Sequence, residues 1–211
     1  MAEKKAGIII ILSSPSGAGK TTLVKKISFR KKYNISISHT TRKPRLNEKN
    51  GNDYFFVKNK DFRKLIKDKK FLEYAKVFKN YYGSLKETVI NKLKKGENVI
   101  FDIDWQGTKQ IKSKKLKFKI ITIFILPPSK KELFKRLLKR DQKDKKIAIE
   151  RMKQFKDDVM HWKDYDYVVV NNKIEECYRS IIKFINIQKK RKKLFRYDRK
   201  LIKNHIKYLI N

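Results

Sequence analysis

The sequence predicts an α/β fold, in which a parallel sheet carries helices on both faces. Four apolar runs have the length of buried strands, at residues 8–12, 99–104, 120–126 and 167–170. Segments with a helical spacing of apolar residues separate these runs, and a glycine-rich turn directly follows the first one. Strands that alternate with helices in this way form parallel sheets, because each helix returns the chain to the start of the next strand.

The first strand leads into a predicted phosphate-binding loop, Ser14-Pro15-Ser16-Gly17-Ala18-Gly19-Lys20-Thr21. Gly17 and Gly19 allow the backbone to turn its N–H groups toward an anion. Lys20 supplies a positive charge for the β- and γ-phosphates of a nucleotide, and the Thr21 hydroxyl can bind Mg²⁺. Ser14 stands where the usual pattern has its first glycine, and we interpret it as tolerated because serine is small. A strand, this loop and a helix over 20–30 are typical of P-loop nucleotide enzymes.

The middle of the chain predicts a smaller mixed sheet. Residues 35–57 alternate in polarity and contain a turn at Asn50-Gly51-Asn52-Asp53. Further short strands are predicted at 71–75 and 80–84. Two short helices are predicted beside them, one from Asp61 to Lys69 and one from Glu87 to Lys95.

The C-terminal part predicts three helices around one last strand. Ser129 can cap a helix that has Leu133, Leu137 and Leu138 on one face. A covering helix is predicted over 174–187. Residues 188–211 begin with a basic run and then predict an amphipathic helix that docks on the core or on another subunit. The residues with helical spacing in this tail are Leu194, Leu201, Ile202, His205 and Leu209.

Two acids close the second apolar run. Asp102 lies where P-loop enzymes bring a carboxylate to the metal ion. Asp104 lies two residues further, so in a continuous strand it would share a face with Asp102 and could reach the phosphate acceptor.

Composition limits the function classes. The 211 residues suit one domain, no apolar run approaches the roughly 20 residues of a membrane helix, and no signal peptide is recognisable. Cys177 is the sole cysteine, and we expect an inert, half-buried thiol in a cytoplasmic protein. The net charge of +36 raises nucleic-acid binding as an alternative. The lysines are scattered along the whole chain, so we interpret the charge as the result of drift in an A+T-rich coding sequence. No specific nucleic acid is expected as a partner.

Four segments are more specific together than the loop alone. They are Ser-Pro-Ser-Gly-Ala-Gly-Lys-Thr (14–21), Ser-His-Thr-Thr-Arg-Lys-Pro-Arg (38–45), Asn-Tyr-Tyr-Gly-Ser (80–84) and Phe-Asp-Ile-Asp-Trp-Gln-Gly (101–107). With these segments the chain resembles bacterial guanylate kinase, which phosphorylates GMP with ATP, from about residue 7 to about 190. The resemblance implies one domain over 1–211 with a P-loop NTPase-type sheet. Its parts would be a core (about 1–36, 97–129 and 161–188), a GMP-binding lobe (37–96), a helical lid (130–160) and a basic helical tail (189–211).

The resemblance implies a GMP site in the smaller lobe. The residues that would hold the GMP phosphate are Arg42, Arg45, Tyr54 and Tyr82. The residues that would read guanine are Ser38 and Glu73, with Ser84 and Asp104 nearby. The chemistry agrees, because arginine offers paired donors that match a phosphate and a carboxylate suits the N1–H and amine donors of guanine.

The resemblance also implies an ATP site that consists of the phosphate-binding loop and the lid. Arg136, Arg140 and Arg151 would close on the ATP phosphates and the transferred group, and the first two share a helix face at i, i+4. Asn171 matches a position near the adenine. The lid turn, residues 139–146, is basic where relatives have an acidic turn with glycine, so we expect altered lid dynamics and product release.

The implied reaction is Mg²⁺-dependent transfer of the ATP γ-phosphoryl group to GMP or dGMP, which gives ADP and GDP or dGDP. The catalytic residues would be Lys20, Arg42, Arg136, Arg140 and Arg151, and the Mg²⁺ ligands Thr21 and Asp102. ATP and GMP or dGMP are then the partners, no membrane is expected, and a homo-oligomer through the C-terminal helix stays open. Two alternatives are a non-catalytic guanylate-kinase-like interaction module and a nucleic-acid-binding protein. Retention of the catalytic residues argues against the first.

Overall fold

The computed structural model describes residues 6–140, 144–190 and 197–210. The chain forms two compact units, one within Met1–Ile11 and Tyr33–Ile120 and the other within Leu12–Lys32 and Ile121–Asn211. The strands of the described residues are β1 (Ile9–Ser13), β2 (Asn34–Ile35), β3 (His39–Thr40), β4 (Phe55–Phe56), β5 (Phe71–Val77), β6 (Asn80–Leu85), β7 (Val99–Asp102), β8 (Ile120–Leu126) and β9 (Tyr167–Val170).

The strands form two sheets. Five strands make a parallel sheet in the order β2-β7-β1-β8-β9, and four make a second sheet in the order β4-β3-β6-β5. The second sheet is mixed, because β3 runs parallel to β4 but antiparallel to β6, and β5 is antiparallel to β6. The predicted α/β fold with a small mixed sheet is therefore confirmed. Its division into a single domain with core, lobe, lid and tail stays a prediction.

The helices of the described residues are α1 (Lys20–Lys31), α2 (Asn59–Lys67), α3 (Lys86–Lys94), α4 (Trp105–Ser113), α5 (Lys130–Arg140), α6 (Lys145–Met160), α7 (Ile174–Lys189) and α8 (Arg199–Ile210), with a 3-10 helix at His161–Asp164. The sequence prediction missed α4. It also extended the second buried strand to Asp104, whereas β7 ends at Asp102. Asp104 is instead the N-cap of α4, and its carboxylate accepts from the backbone N–H of Gly107.

The core of the first unit packs two strands of the parallel sheet against helices and against one strand of the mixed sheet. Buried residues from β1, β5, α3, β7 and α4 meet in this cluster, among them Leu72, Leu93, Phe101 and Ile111. β5 packs against α4. β5 carries the predicted site residue Glu73, and Asp104 is the N-cap of α4.

The core of the second unit gathers β8, β9 and the helices α5, α6 and α8. Ser129 caps α5 as predicted, since its hydroxyl accepts from the N–H of Glu132 at 3.1 Å. Leu133 and Leu137 are fully buried in this core, and Leu138 packs at its edge.

The C-terminal helix packs on the core of its own unit. Ile202, Ile206 and Leu209 are buried among residues of α5, α6 and β8. The predicted face was partly wrong, because Leu201 is 63% exposed and Ile206 takes the buried position. Leu194 lies outside the described residues. The oligomer predicted through this helix is untested, but the apolar face of α8 is already covered by its own chain.

Candidate functional site

The phosphate-binding loop has the backbone that its sequence predicts. Gly17 and Gly19 both adopt left-handed conformations, with φ of 87° and 96°. The N–H of Ala18 donates to the carbonyl of Pro15 at 3.3 Å, which closes the turn, and the Ser14 hydroxyl donates to the same carbonyl at 2.8 Å. Ser14 therefore caps the turn in the way its small side chain suggested.

The loop ends in the amino terminus of α1. Gly19 is the N-cap of this helix, and it has no side chain with which to cap the first N–H groups. The amino end of a twelve-residue helix attracts negative charge through these N–H groups and the helix dipole. Lys20 and Thr21 are the first two residues of α1, with Lys20 half-buried and Thr21 exposed. This arrangement suits a bound phosphate.

Asn171 is a structural partner of the loop. Its side chain is 4% exposed, and its amide Nδ2 donates to the carbonyl of Ala18 at 2.8 Å. A Cβ atom on Gly19 would lie 2.3 Å from the same Nδ2, so the loop backbone approaches Asn171 as closely as glycine allows. We interpret Asn171 as a residue that fixes the loop. Its predicted place near the adenine stays a prediction.

Two of the three predicted lid arginines contact either the phosphate-binding loop or Asn171, which is bonded to it. The Nη1 of Arg151, on α6, donates to the hydroxyl of Ser16 at 2.8 Å. Arg136, on α5, makes an ion pair with Glu132 at 2.9 Å and directs both Nη atoms at the carbonyl of Asn171, at 3.4 Å each. Positive charge from two helices is thus gathered beside the loop.

Arg140 lies at the last position of α5 and is exposed. It shares the helix face of Arg136, as the i, i+4 spacing predicted. The centre of the basic lid turn, Asp141-Gln142-Lys143, lies outside the described residues. Asp144 follows this turn and caps α6, accepting from the N–H groups of Lys146 and Ile147 at 2.9 and 3.2 Å.

A buried polar pocket in the mixed sheet brings the predicted guanine readers together. Glu73 on β5 pairs with Ser84 on β6, and the Ser84 hydroxyl lies 3.4 Å from that of Ser38. The exposed fractions are 3% for Glu73, 6% for Ser38 and 0% for Ser84. A carboxylate buried to this degree is costly unless donors surround it, so the pocket favours a ligand with paired N–H groups.

Helix α4 forms the wall next to this carboxylate. A Cβ atom on Gly107 would lie 2.4 Å from Oε2 of Glu73, so any larger residue here requires the acid to shift. Gln110, one turn further, exchanges two hydrogen bonds with the backbone of Tyr74, at 3.1 Å to its N–H and 2.6 Å from its carbonyl. These bonds satisfy the open edge of β5 and fix Glu73 against the helix.

Sequence reasoning missed Gly107 and Gln110 as supporting residues, although Gly107 closes one of the four diagnostic motifs. A usable signal was the pair Asp104 and Gly107, which has the spacing of an N-cap carboxylate and the backbone N–H that donates to it. Asp104 does not share a strand face with Asp102 as predicted, because β7 ends at Asp102. Its Oδ1 accepts from the N–H of Gly107 at 3.0 Å and its Oδ2 from Gln106 at 3.1 Å. A contact of Asp104 with GMP stays a prediction.

The four predicted GMP-phosphate residues lie together around Arg42. The guanidinium carbon of Arg42 lies 5.4 Å from the ring centre of Tyr54, and the rings of Tyr54 and Tyr82 meet edge to face at 5.9 Å. The side chain of Tyr82 also lies close enough to Arg42 to raise the pKa of its guanidinium. Arg45 joins them through Glu48, whose carboxylate contacts both arginines. We name the group of Arg42, Arg45, Tyr54 and Tyr82 the phosphate clamp.

Arg42 and Glu48 stabilise each other in their charged forms. Burial alone lowers the pKa of Arg42, but the bonds from Glu48 and Tyr82 outweigh it and raise that pKa above its usual value. Burial alone raises the pKa of Glu48, but the Arg45 backbone N–H and the two arginines hold it below its usual range. Arg42 and Glu48 are therefore both charged at neutral pH.

Comparison with known proteins identifies the family. The family model for guanylate kinase matches residues 7–188. The chain belongs to the guanylate kinase family. It is 46% identical to the guanylate kinase of Blochmanniella floridana over 81% of each chain. It is 45% identical to that of Rickettsia prowazekii, over 86% of this chain and 92% of the relative.

A solved structure supports the same assignment. The crystal structure of guanylate kinase from Anaplasma phagocytophilum matches with a TM-score of 0.69 and 32% identity, over 88% of this chain and 87% of the other. The family assignment agrees with the four motifs quoted above. Within the part of the chain that the structure describes, no helix has the length and apolar character to cross a membrane.

Proposed function

We propose that this chain transfers the γ-phosphoryl group of ATP to the phosphate of GMP and dGMP, giving ADP and GDP or dGDP. The observation that carries the proposal is the first unit's pair of adjacent sites, the buried Glu73 pocket and the phosphate clamp. The Glu73 pocket suits a guanine base, and the phosphate clamp suits the phosphate of the same nucleotide. Membership of the guanylate kinase family supports both assignments.

We infer that Glu73 accepts hydrogen bonds from N1–H and the amine of guanine. Adenine lacks this pair of donors, so AMP would leave the buried carboxylate without hydrogen bonds from the base. An unsatisfied buried polar group costs about 1–3 kcal/mol. Ser38 and Ser84 add hydroxyl groups at the same pocket. The specificity for guanine therefore depends on a carboxylate that the fold keeps out of water.

Arg42 and Arg45 would neutralise the GMP phosphate, with hydroxyl donors from Tyr54 and Tyr82. The phosphate oxygen that attacks is already anionic near neutral pH, so no general base is required. Catalysis then consists of positioning and charge neutralisation, to which Lys20, Arg136, Arg140 and Arg151 contribute at the ATP phosphates. The contact of Arg151 with Ser16 supports a role for this arginine beside the phosphate-binding loop.

We propose Mg²⁺ as the cofactor, with Thr21 and Asp102 as protein ligands. The donor set fits, because hydroxyl and carboxylate oxygens are hard ligands and Mg²⁺ needs few of them when it also binds phosphates and water. When bound, Mg²⁺ would neutralise charge on the ATP phosphates. Substrates of this kind and a lone buried cysteine are consistent with the cytoplasm, which we propose as the location.

The test is a coupled assay of ADP release with ATP and Mg²⁺, comparing GMP, dGMP, AMP, CMP and UMP. We expect turnover with GMP and dGMP and almost none with the others. A folded protein that turns over none of them would contradict the proposal and favour a non-catalytic interaction module. Equal turnover with AMP would contradict the role of Glu73.

A further inference from the structure

We propose that Glu48 is a positioning residue that orders Arg42 and Arg45 before the acceptor phosphate binds. The inference rests on the proposed function, since it concerns the clamp that would hold the GMP phosphate. Glu48 belongs to none of the site assignments above, and it adds a negative charge to a site built for an anion.

The geometry makes Glu48 the hub of the clamp. Nη2 of Arg42 donates to both carboxylate oxygens, at 2.9 and 2.8 Å. Nη1 of Arg45 donates to Oε1 at 3.3 Å, and the backbone N–H of Arg45 donates to Oε2 at 2.8 Å. One carboxylate therefore accepts four hydrogen bonds from the two arginines that we propose to bind phosphate.

Glu48 is itself fixed by the local backbone. Its N–H donates to the carbonyl of Arg45 at 3.1 Å, so residues 45–48 form a turn that the carboxylate closes from the other side. Asn47 within this turn has φ of 72°, in the left-handed region that asparagine tolerates. The turn fixes the backbone of Glu48, and the bond from the Arg45 backbone N–H directs the carboxylate toward the two guanidinium groups.

Apolar packing gives this turn little support. Leu46, within the turn, is 80% exposed. By contrast the side chain of Glu48 is 17% exposed and that of Arg42 is 13% exposed. The order of the turn at residues 45–48 therefore depends on the ionic contacts of Glu48 more than on a hydrophobic anchor.

The one unused donor of Arg42 among the described contacts is suited to a second anion. Its Nη1 donates to the carbonyl of Lys43 at 2.6 Å, while its Nε is buried and has no hydrogen-bond partner among the described residues. Glu48 occupies Nη2 and leaves the Nε edge of the guanidinium for a phosphate oxygen. Ordering both long side chains in advance lowers the entropic cost of binding the phosphate.

A competing role for Glu48 predicts the opposite result. If its carboxylate stood in the place of the phosphate, removing its charge would tighten GMP binding. If it orders the arginines, removing its charge weakens GMP binding although the site becomes more positive. The sign of the change decides between the two.

The experiment compares Glu48→Gln with wild type and with Glu87→Gln. The control removes the same charge from an exposed position in the first turn of α3. Titrations of the full-length protein would use GMP, inorganic phosphate and guanosine. We expect about a tenfold increase in Kd for GMP and for phosphate in Glu48→Gln, with the Kd for guanosine and the KM for ATP unchanged.

A second measurement uses NMR to test whether the Arg42 side chain is ordered in the absence of nucleotide. In ligand-free protein the Nε–H of Arg42 should give a sharp NMR signal with slow solvent exchange in wild type and in Glu87→Gln. The signal should be broadened or lost in Glu48→Gln. An unchanged Arg42 signal, or GMP binding that stays equal or tightens in Glu48→Gln, would overturn the inference.

The two proposals fail separately. Wild-type protein without GMP-dependent ADP release would contradict the proposed function. The Arg42 signal and the phosphate titration would still decide whether Glu48 orders an anion-binding clamp, because neither depends on guanine or on turnover.

Discussion

Replacing Gly107 with alanine perturbs the guanine pocket by one methyl group. The added Cβ would lie 2.4 Å from Oε2 of Glu73, about 1 Å closer than the 3.4 Å at which ordinary contact begins. The carboxylate is almost fully buried and β5 is tied to α4 through Gln110, so the acid has to shift within a packed site. Gly107→Ala therefore moves Glu73 without altering its chemistry.

The magnitude follows from two opposing effects. Alanine in place of glycine improves helix propensity by about 1 kcal/mol, whereas overpacking a buried site costs about 1–3 kcal/mol. We expect the free energy of unfolding to change little, by about 0–2 kcal/mol. A hydrogen bond to a charged group contributes about 1.5–3 kcal/mol, so misaligning one bond to guanine should raise the Kd for GMP by about 10- to 150-fold.

The assay is calorimetric titration with GMP, IMP and ATP. IMP lacks the exocyclic amine, so displacement of Glu73 should reduce the preference for GMP over IMP while ATP binding stays the same. The control is Lys109→Ala, an exposed change on the same helix. If folded Gly107→Ala binds GMP as tightly as wild type, Glu73 is not the residue that reads guanine or the pocket relaxes freely, and the reasoning is refuted.

Three further outcomes are expected. Lys20→Ala should nearly abolish turnover and leave GMP binding largely intact by calorimetry, because Lys20 serves the ATP phosphates; equal loss of both would contradict the assignment. Burial raises the pKa of Cys177 to about 12, so the thiol should react with Ellman's reagent at neutral pH only on unfolding, and rapid labelling of native protein would show otherwise. Burial lowers the pKa of His39 below 6.5, because the folded protein disfavours the charged imidazole. The unfolded chain therefore takes up a proton at His39 more readily than the folded chain does, and the free energy of unfolding falls as the solution is acidified below about pH 6.5. The urea midpoint should then drop less between pH 7.5 and 5.5 in His39→Phe than in wild type; equal drops would rule out His39 as the cause.

The sequence and its family resemblance named residues that the fold brings together, but they did not name the residues that hold them in place. Positions such as Gly17, Gly19 and Lys20 are local, because a phosphate-binding loop needs particular backbone angles and a particular charge within eight residues. The loop therefore has its predicted conformation. Cys177 was predicted half-buried but is 2% exposed, since the depth of a side chain depends on helices distant in sequence.

Tertiary structure decided the partners of each predicted residue. The sequence assigned Asp104 to a strand face, but the strand ends at Asp102 and the acid caps a helix. It gave no sign that Asn171 supports the phosphate-binding loop, or that Gly107 lies against Glu73, because these contacts join segments separated by 34 to 153 residues along the chain.

What the sequence by itself determined is the α/β fold class, the phosphate-binding loop and, through four short motifs, the family to which the chain belongs. The roles of the arginines, the tyrosines and Glu73 toward GMP are what that family resemblance implies. What only the tertiary structure decided is how these groups are held. Glu48 illustrates the difference, because in the sequence it is one acid in a charged loop. In the folded chain its carboxylate joins two arginines, since the turn at residues 45–48 directs it toward both guanidinium groups. Local motifs specify which groups are present, and packing between distant segments fixes their distances and charges.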